Sequence, residues 1–230
     1  MCGRFGMSVS RPQLSAAFPY VDFPLTITPR FNIAPTQDVL VLRQGGERTT
    51  AELLRWGLAP PGAAGRSLIN VRSETAVRGG LYRKLLERDR VVLPASHFYE
   101  WRGRRPLLIR PPAGLLAFAG LLGRWTDPRT GATVPAVTIL TCPPNELVKP
   151  FHDRMPVILD PAGWRAWLDP RAGLDEVTAA LAPCPEDWLE VVPASPLVND
   201  HRNDGPELLE PVGEPPAGEP ALQLPLLDGG

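Results

Sequence analysis

Apolar residues in this chain arrive in short, often β-branched runs, and that spacing limits the fold more than any other feature. The runs are "DVLVLR" (38–43), "SLINV" (67–71), "RVVLPASHFYEW" (90–101), "PLLI" (106–109), "LLAFAGLLGRW" (115–125), "AVTILT" (136–141), "MPVIL" (155–159) and "LEVV" (189–192). Turn residues separate them, the pattern of strands. Helical signals are fewer. "LYRKLLERD" (81–89) has the three-to-four spacing of an amphipathic helix. "PAGWRAWL" (161–168) follows Asp160, a good N-cap, and places Pro161 at the first helical position. "LDEVTAALA" (174–182) is a third candidate. Strands interleaved irregularly with a few short helices predict a single compact α+β domain, β-rich and mostly antiparallel. That domain is expected over residues 1–205. From Pro206 the chain reads "PELLEPVGEPPAGEPALQLPLLDGG", with six Pro, four Gly and five acids, and a disordered tail is expected there.

The 230 residues, 43% of them apolar, suffice for a substantial core. No run of eighteen apolar residues predicts a membrane span, and no charged-then-apolar leader predicts a signal peptide. A cytoplasmic location is the expectation. The cysteines are Cys2, Cys142 and Cys184, an odd count without paired spacing, which argues against a disulfide framework. With His97, His152 and His201 they form no CxxC or HxxxH pattern, so no metal site is predicted. Neither a glycine-rich phosphate loop nor a GxSxG elbow is present, and no cofactor is expected. Formal net charge is −1, but the last 25 residues carry five acids and no Lys or Arg. The rest holds 24 basic against 20 acidic residues, and only Lys84 and Lys149 are not Arg. Arginine suits bidentate phosphate contact and stacking on bases. A GC-rich genome gives the same excess.

The chain opens "MCGRF". Removal of Met1 would leave Cys2 with a free α-amine and a thiol on adjacent carbons. The amine's reference pKa is roughly 7.7–8.0, so part of it is nucleophilic at neutral pH. Amine and thiol can attack one aldehyde in succession, first as imine, then by closing a five-membered thiazolidine. Further candidates sit at strand ends. In "HFYEW" (97–101), alternation puts Phe98 and Glu100 on one face and Tyr99 and Trp101 on the other, making Glu100 a candidate acid/base. "KPFHDRMPVIL" (149–159) places His152, able to shuttle protons, beside Asp153 and Arg154. "INVRSET" (69–75) offers Asn70 to a carbonyl or sugar oxygen and Arg72 to a phosphate. "RFNIAPTQ" (30–37) and "RWGLAPP" (55–61) pair Arg30 and Arg55 with aromatics, and Trp56 can stack on a base. Taken singly, each position also suits a structural role: a helix cap, a turn histidine, a core aromatic.

Together these segments resemble one family, the SRAP proteins (SOS-response-associated peptidase, or abasic-site processing proteins). The likeness runs through "MCGR", "RFNIAPTQ", "RWGLAP", "NVRSET", "FYEW", "TILT", "HDRMPVIL" and "LVN" (197–199), in the family's order, from Met1 to about Asp204. The resemblance implies a monomer that binds single-stranded DNA, crosslinks to abasic sites through the processed N-terminal cysteine and shields the lesion. It maps the nucleophile onto Cys2, the sugar-facing asparagine onto Asn70, and the acid/base pair onto Glu100 and His152. Arg4, Arg30, Pro35, Trp56, Arg72 and Arg154 fall in motifs that line the DNA groove. It further implies autocatalytic removal of Met1, lyase-type chemistry and association with the nucleoid. Departures are Ser96 and His97, where an acid and a glycine are usual, and a short 59–70 segment without its usual tryptophan. Two rivals remain. An N-terminal-nucleophile hydrolase would use Cys2 as thiolate with its own amine as base. A non-covalent single-strand binding module would bind intact DNA in a salt-sensitive way.

Overall fold

The computed structural model describes residues 2–59, 67–160 and 163–212. The strands are β1 (Phe5–Met7), β2 (Val21–Asp22), β3 (Arg30–Ile33), β4 (Asp38–Gly45), β5 (Arg48–Trp56), β6 (Asn70–Arg72) and β7 (Arg90–Ala95), followed by β8 (His97–Arg102), β9 (Arg105–Arg110), β10 (Leu116–Thr126), β11 (Thr133–Cys142), β12 (Met155–Pro156) and β13 (Glu190–Pro193). Short helices are α1 (Arg11–Ala17), α2 (Ser73–Arg78), α3 (Gly80–Arg88), α4 (Trp164–Leu168) and α5 (Leu174–Ala179). The fold is α+β and strand-rich. The anticipated start of α4 at Pro161 lies outside the described residues. Helices α1 and α2 and strands β1, β3 and β5 were not among the sequence-predicted elements.

One sheet runs β12-β11-β10-β7-β4-β5-β2 and closes on itself, because β5 also pairs with β11. The closing contact is parallel, with Ala136 opposite Arg55 and Val137 opposite Trp56. Beyond it, β6 continues along β11, setting Asn70 opposite Ile139 and Arg72 opposite Thr141. Closure leaves β5 and β11 without a bare edge there, and Val41, Leu42, Val91, Val92, Phe118 and Ile139 fill the core to complete burial. Arg90 is buried too. It donates to the carbonyls of Leu86, Glu87, Trp167 and Asp169 at 2.6–3.0 Å, ending α3 and α4.

The second sheet, β13-β9-β8-β1-β3, is antiparallel. The run "RVVLPASHFYEW", read as one strand, is two: the chain leaves the barrel at Ala95 and enters the second sheet at His97. Ser96 makes the corner. Its amide donates to the Gly6 carbonyl at 2.8 Å, and its hydroxyl lies 2.9 Å from His97 Nδ1. His97 Nε2 is 3.0 Å from the Phe31 carbonyl. A carbonyl only accepts, so Nε2 carries the hydrogen and Nδ1 accepts from Ser96. Burial lowers the His97 pKa to about 4, which keeps the ring neutral.

The face of this sheet turned from the barrel carries a small core of Tyr99, Leu108, Ala194, Val198 and Leu208. The C-terminal segment covers it. Asn32 Nδ2 donates to the carbonyls of Val198, Asp200 and Asn203, and Asp204 accepts the Phe31 and Asn32 amides. The expected boundary at residue 205 therefore moves. Pro206–Leu209 forms a 3-10 turn and Leu208 is buried, because an apolar side chain there completes this core. Residues 213–230 lie outside the described residues.

Gly6 lies beneath the His97 ring, where an added Cβ would stand 2.2 Å from two ring atoms. Gly6→Ala is expected to cost about 2 kcal/mol through overpacking. A thermal melt reads this, and a loss below ~0.5 kcal/mol, the range of surface changes, would mean β1 and β8 separate easily.

Candidate functional site

The register of β1 on β8 decides which side chains meet. Phe5 lies opposite Phe98 and Gly6 opposite His97, and the Tyr99 amide donates to the Arg4 carbonyl at 3.0 Å. Carried back past β1, that register sets Gly3 opposite Glu100, and Cys2 beside it feels the Glu100 charge on its thiol. Asn70, the first residue of β6, closes another side: its Nδ2 donates to the Cys2 carbonyl at 2.8 Å. Cys2 is fully buried, with Sγ 3.8 Å from the Arg4 carbonyl. A leading residue is ordinarily loose; here strand pairing and the Asn70 bond hold it.

Glu100 shares its face with Phe98, as alternation along the strand predicts, and is 4% exposed. Burial pushes its carboxyl up to about 7, and the charge of Asp153 adds to the rise. Burial, then the charge of Glu100, push the Cys2 thiol far above its ordinary value. The residue therefore rests as thiol. Asn70 Oδ1 is buried and accepts no hydrogen bond among the described residues. Such an acceptor costs about 1–3 kcal/mol, and a hydroxyl or amine donor placed there would satisfy it.

His152 sits between β11 and β12, half-buried, with Nδ1 2.8 Å from Asp153 Oδ1 and accepting the Arg154 amide at 3.0 Å. An accepting Nδ1 puts the neutral ring's hydrogen on Nε2. Burial lowers this histidine's pKa, favouring that form. Protonation would exchange the amide contact for an ion pair with Asp153.

Arg154 anchors the loop and is not available as a groove cation. It is 8% exposed, forms a two-pronged pair with Glu74 at 2.8 Å and donates to the Thr141 carbonyl at 2.6 Å. The Arg154 bonds hold the Glu74 carboxyl down at about 2. Trp56 is likewise corrected. It is fully buried, meets Phe5 edge-on at 5.1 Å and donates to the Ile69 carbonyl at 2.9 Å. The barrel's closing strand turns it inward, so it offers no face to a base. Arg30 is bound to Asp204 and Gln37, and Arg4 donates to Asn32 Oδ1 and the Val198 carbonyl, both at 2.8 Å. Both fasten the C-terminal segment. Pro35 is part-exposed in a turn closed by the Gln37 amide on the Ala34 carbonyl at 3.3 Å. Thr36 holds φ +75° in that turn, a strained value for a β-branched residue. Arg72 is exposed at the end of β6.

The structure thus gathers Cys2, Asn70 and Glu100: Asn70 bonds the Cys2 carbonyl, and the charge of Glu100 acts on the Cys2 thiol. His152 joins them through Asp153, whose charge acts on both His152 and Glu100. Arg102 was missed in sequence. It follows Glu100 by two positions on β8, hence on the same face, and lies over the Phe151 ring at 4.8 Å. The arginine-rich turn "WRGRR" (101–105) was the available signal. Among the described residues no group of three or more His, Cys, Asp or Glu is disposed to hold a metal ion, and no helix is long and apolar enough to cross a membrane.

A closed barrel flanked by a second sheet, with a buried cysteine before the first strand and an amide and a carboxylate beside it, defines a strand-rich α+β protein. The family model described as SOS response associated peptidase (SRAP) matches residues 1–201. The chain belongs to the SRAP family. Among curated relatives, Abasic site processing protein YoqW of Bacillus subtilis (strain 168) is 36% identical, the alignment covering 91% of this chain and 99% of that one. Abasic site processing protein YedK of Escherichia coli (strain K12) is 29% identical over 92% of this chain and all of its own. A solved protein of Bacteroides thetaiotaomicron shares the fold, with a TM-score of 0.79 at 18% identity, covering 92% of this chain and 100% of that one.

A carboxyl whose pKa is raised on folding destabilises the folded state once it ionises. Stability is full below the unfolded value near 4.5 and is lost as pH climbs towards about 7. Glu100→Gln is therefore expected to raise stability by up to ~3 kcal/mol at pH 8 and by little at pH 4. Denaturant melts at the two pH values check this; equal effects would contradict the buried, raised carboxyl.

Proposed function

We propose that this chain processes abasic sites in DNA, capturing the ring-opened sugar of a single strand covalently through a Cys2 freed of Met1. Two things support the reading: relatives that bear the name abasic site processing protein over nearly their whole length, and the site around Cys2. The observation that carries it is the meeting of Cys2, Asn70 and Glu100, with Asn70 Nδ2 on the Cys2 carbonyl and its Oδ1 buried without a partner among the described residues.

The chemistry balances as follows. The α-amine attacks the aldehyde C1′ and gives a carbinolamine. Protonated Glu100 donates to the departing hydroxyl, water leaves and a protonated imine forms, its nitrogen keeping one hydrogen. The thiol adds to the imine carbon, the C–S bond forms as the C=N electron pair neutralises the nitrogen, and the thiol's proton passes to the Glu100 carboxylate, which regenerates the acid. The net result is aldehyde plus aminothiol to thiazolidine plus water, with no change of oxidation state. Asn70 orients the sugar, Oδ1 accepting from a hydroxyl. His152, neutral with its hydrogen on Nε2, moves protons at the O4′ hydroxyl. The raised thiol pKa suits a neutral thiol adding late, and disfavours a resting thiolate of the hydrolase type.

Cys2→Ala is expected to abolish the heat-stable adduct on abasic single strands in denaturing gels. Its persistence would sink the reading, and retention of Met1 should mimic the loss. The adduct-forming rate should pass through a maximum between about pH 7, set by Glu100, and roughly pH 8, set by the α-amine. Glu100→Gln should slow the reaction at least tenfold, one lost proton-transfer group being worth about 100-fold or more, and leave a single rise with pH. An unchanged two-sided profile in that variant would remove Glu100 from the scheme.

A further inference from the structure

We propose that the β8–β9 hairpin is a phosphate-holding arm that grips the DNA strand on one side of the captured sugar. The inference rests on the single-strand reading above. The hairpin joins Arg102 to Arg105 through Gly103 and Arg104, and Arg102 and Arg105 lie directly opposite in the ladder. Gly103 has φ +62°, the geometry a two-residue turn with glycine first requires. The turn is therefore short and stiff, and all three arginines on it are exposed.

Three observations point this arm at the reaction site and at a polyanion. First, Arg102 lies one step beyond Glu100 on the same face, roughly 7 Å along the strand. Second, Arg102 stacks on Phe151 at 4.8 Å, and Phe151 precedes His152. The arm is thereby tied to the loop that carries the proton shuttle. Third, Arg102 and Arg104 are exposed on one short turn, and the planar donors of a guanidinium suit a phosphodiester. Arg154 and Arg30, by contrast, are occupied, by Glu74 and Asp204. Arg102 and Arg104 take on the role that the sequence had placed on those two. A strand whose sugar lies at Cys2 and Glu100 would run outward past Arg102 to Arg104, so the arm engages phosphates on one flank only.

The test measures non-covalent binding to strands carrying a tetrahydrofuran residue. That residue cannot open to an aldehyde, so no adduct forms. Two strands are used, one extending only to the 5′ side of the lesion and one only to the 3′ side. Fluorescence anisotropy over a range of KCl concentrations gives log Kd against log[KCl] for wild type, Arg102→Gln/Arg104→Gln and Arg102→Lys/Arg104→Lys. A single strand contributes a slope of about 0.7 per phosphate neutralised. The glutamine pair should lose about 1.4 of slope on one strand and nothing on the other, and the lysine pair should retain most of it. An unchanged slope, or an equal loss on both strands, overturns the arm. Arg104→Gln alone, at the turn tip, keeps the test open should the double variant fail to fold. Failure of wild type to crosslink an aldehyde-bearing strand would sink the covalent reading while leaving this measurement intact.

Discussion

Everything at the site depends on β1 being wedged between β8 and β3. The wedge is held by a glycine under a buried imidazole, and by backbone pairing that fixes the register to a single residue. A slip by one position would turn Phe5 out of the core, since the side-chain period of a strand is two. Ser96 and His97 do not disturb this wedge. They supply it, through a neutral donor–acceptor chain from Ser96 to the Phe31 carbonyl.

Around the wedge the structure keeps two kinds of polar group apart. Satisfied ones hold the frame: Arg90 on four carbonyls, Arg154 on Glu74 and Thr141, Asn32 and Asp204 on the C-terminal segment. At Cys2 lie a carboxyl raised to about 7 and an amide oxygen buried without a hydrogen-bond partner among the described residues. The charge of Asp153 acts on both Glu100 and His152.

Much of this was legible in the chain. Short β-branched runs marked strands β4, β7–β11 and β13, and the amphipathic spacing of 81–89 marked α3. Alternation in "HFYEW" put Glu100 with Phe98, because the period of two is a local property of extended backbone. Less was legible where one residue type serves two ends. Trp56 and Arg154 had the composition of a nucleic-acid groove, yet one fills the barrel and the other closes an ion pair eighty positions away in sequence. The break at Ser96 was hidden inside a continuous apolar run, since moving from one sheet to another leaves no mark in hydrophobicity.

By itself, the sequence determined the fold class, the strand content, the residue chemistry available at Cys2, Asn70, Glu100 and His152, and the family likeness of the whole. Those follow from local periodicity and from motif identity. Only the tertiary structure decided that the barrel closes through a parallel β5–β11 contact, that Cys2 is buried rather than loose, which arginines are bound and which are exposed, and that Leu208 belongs to a core. Each of these turns on pairings between residues far apart in the chain, and long-range pairing is set by register and closure, which no local pattern encodes.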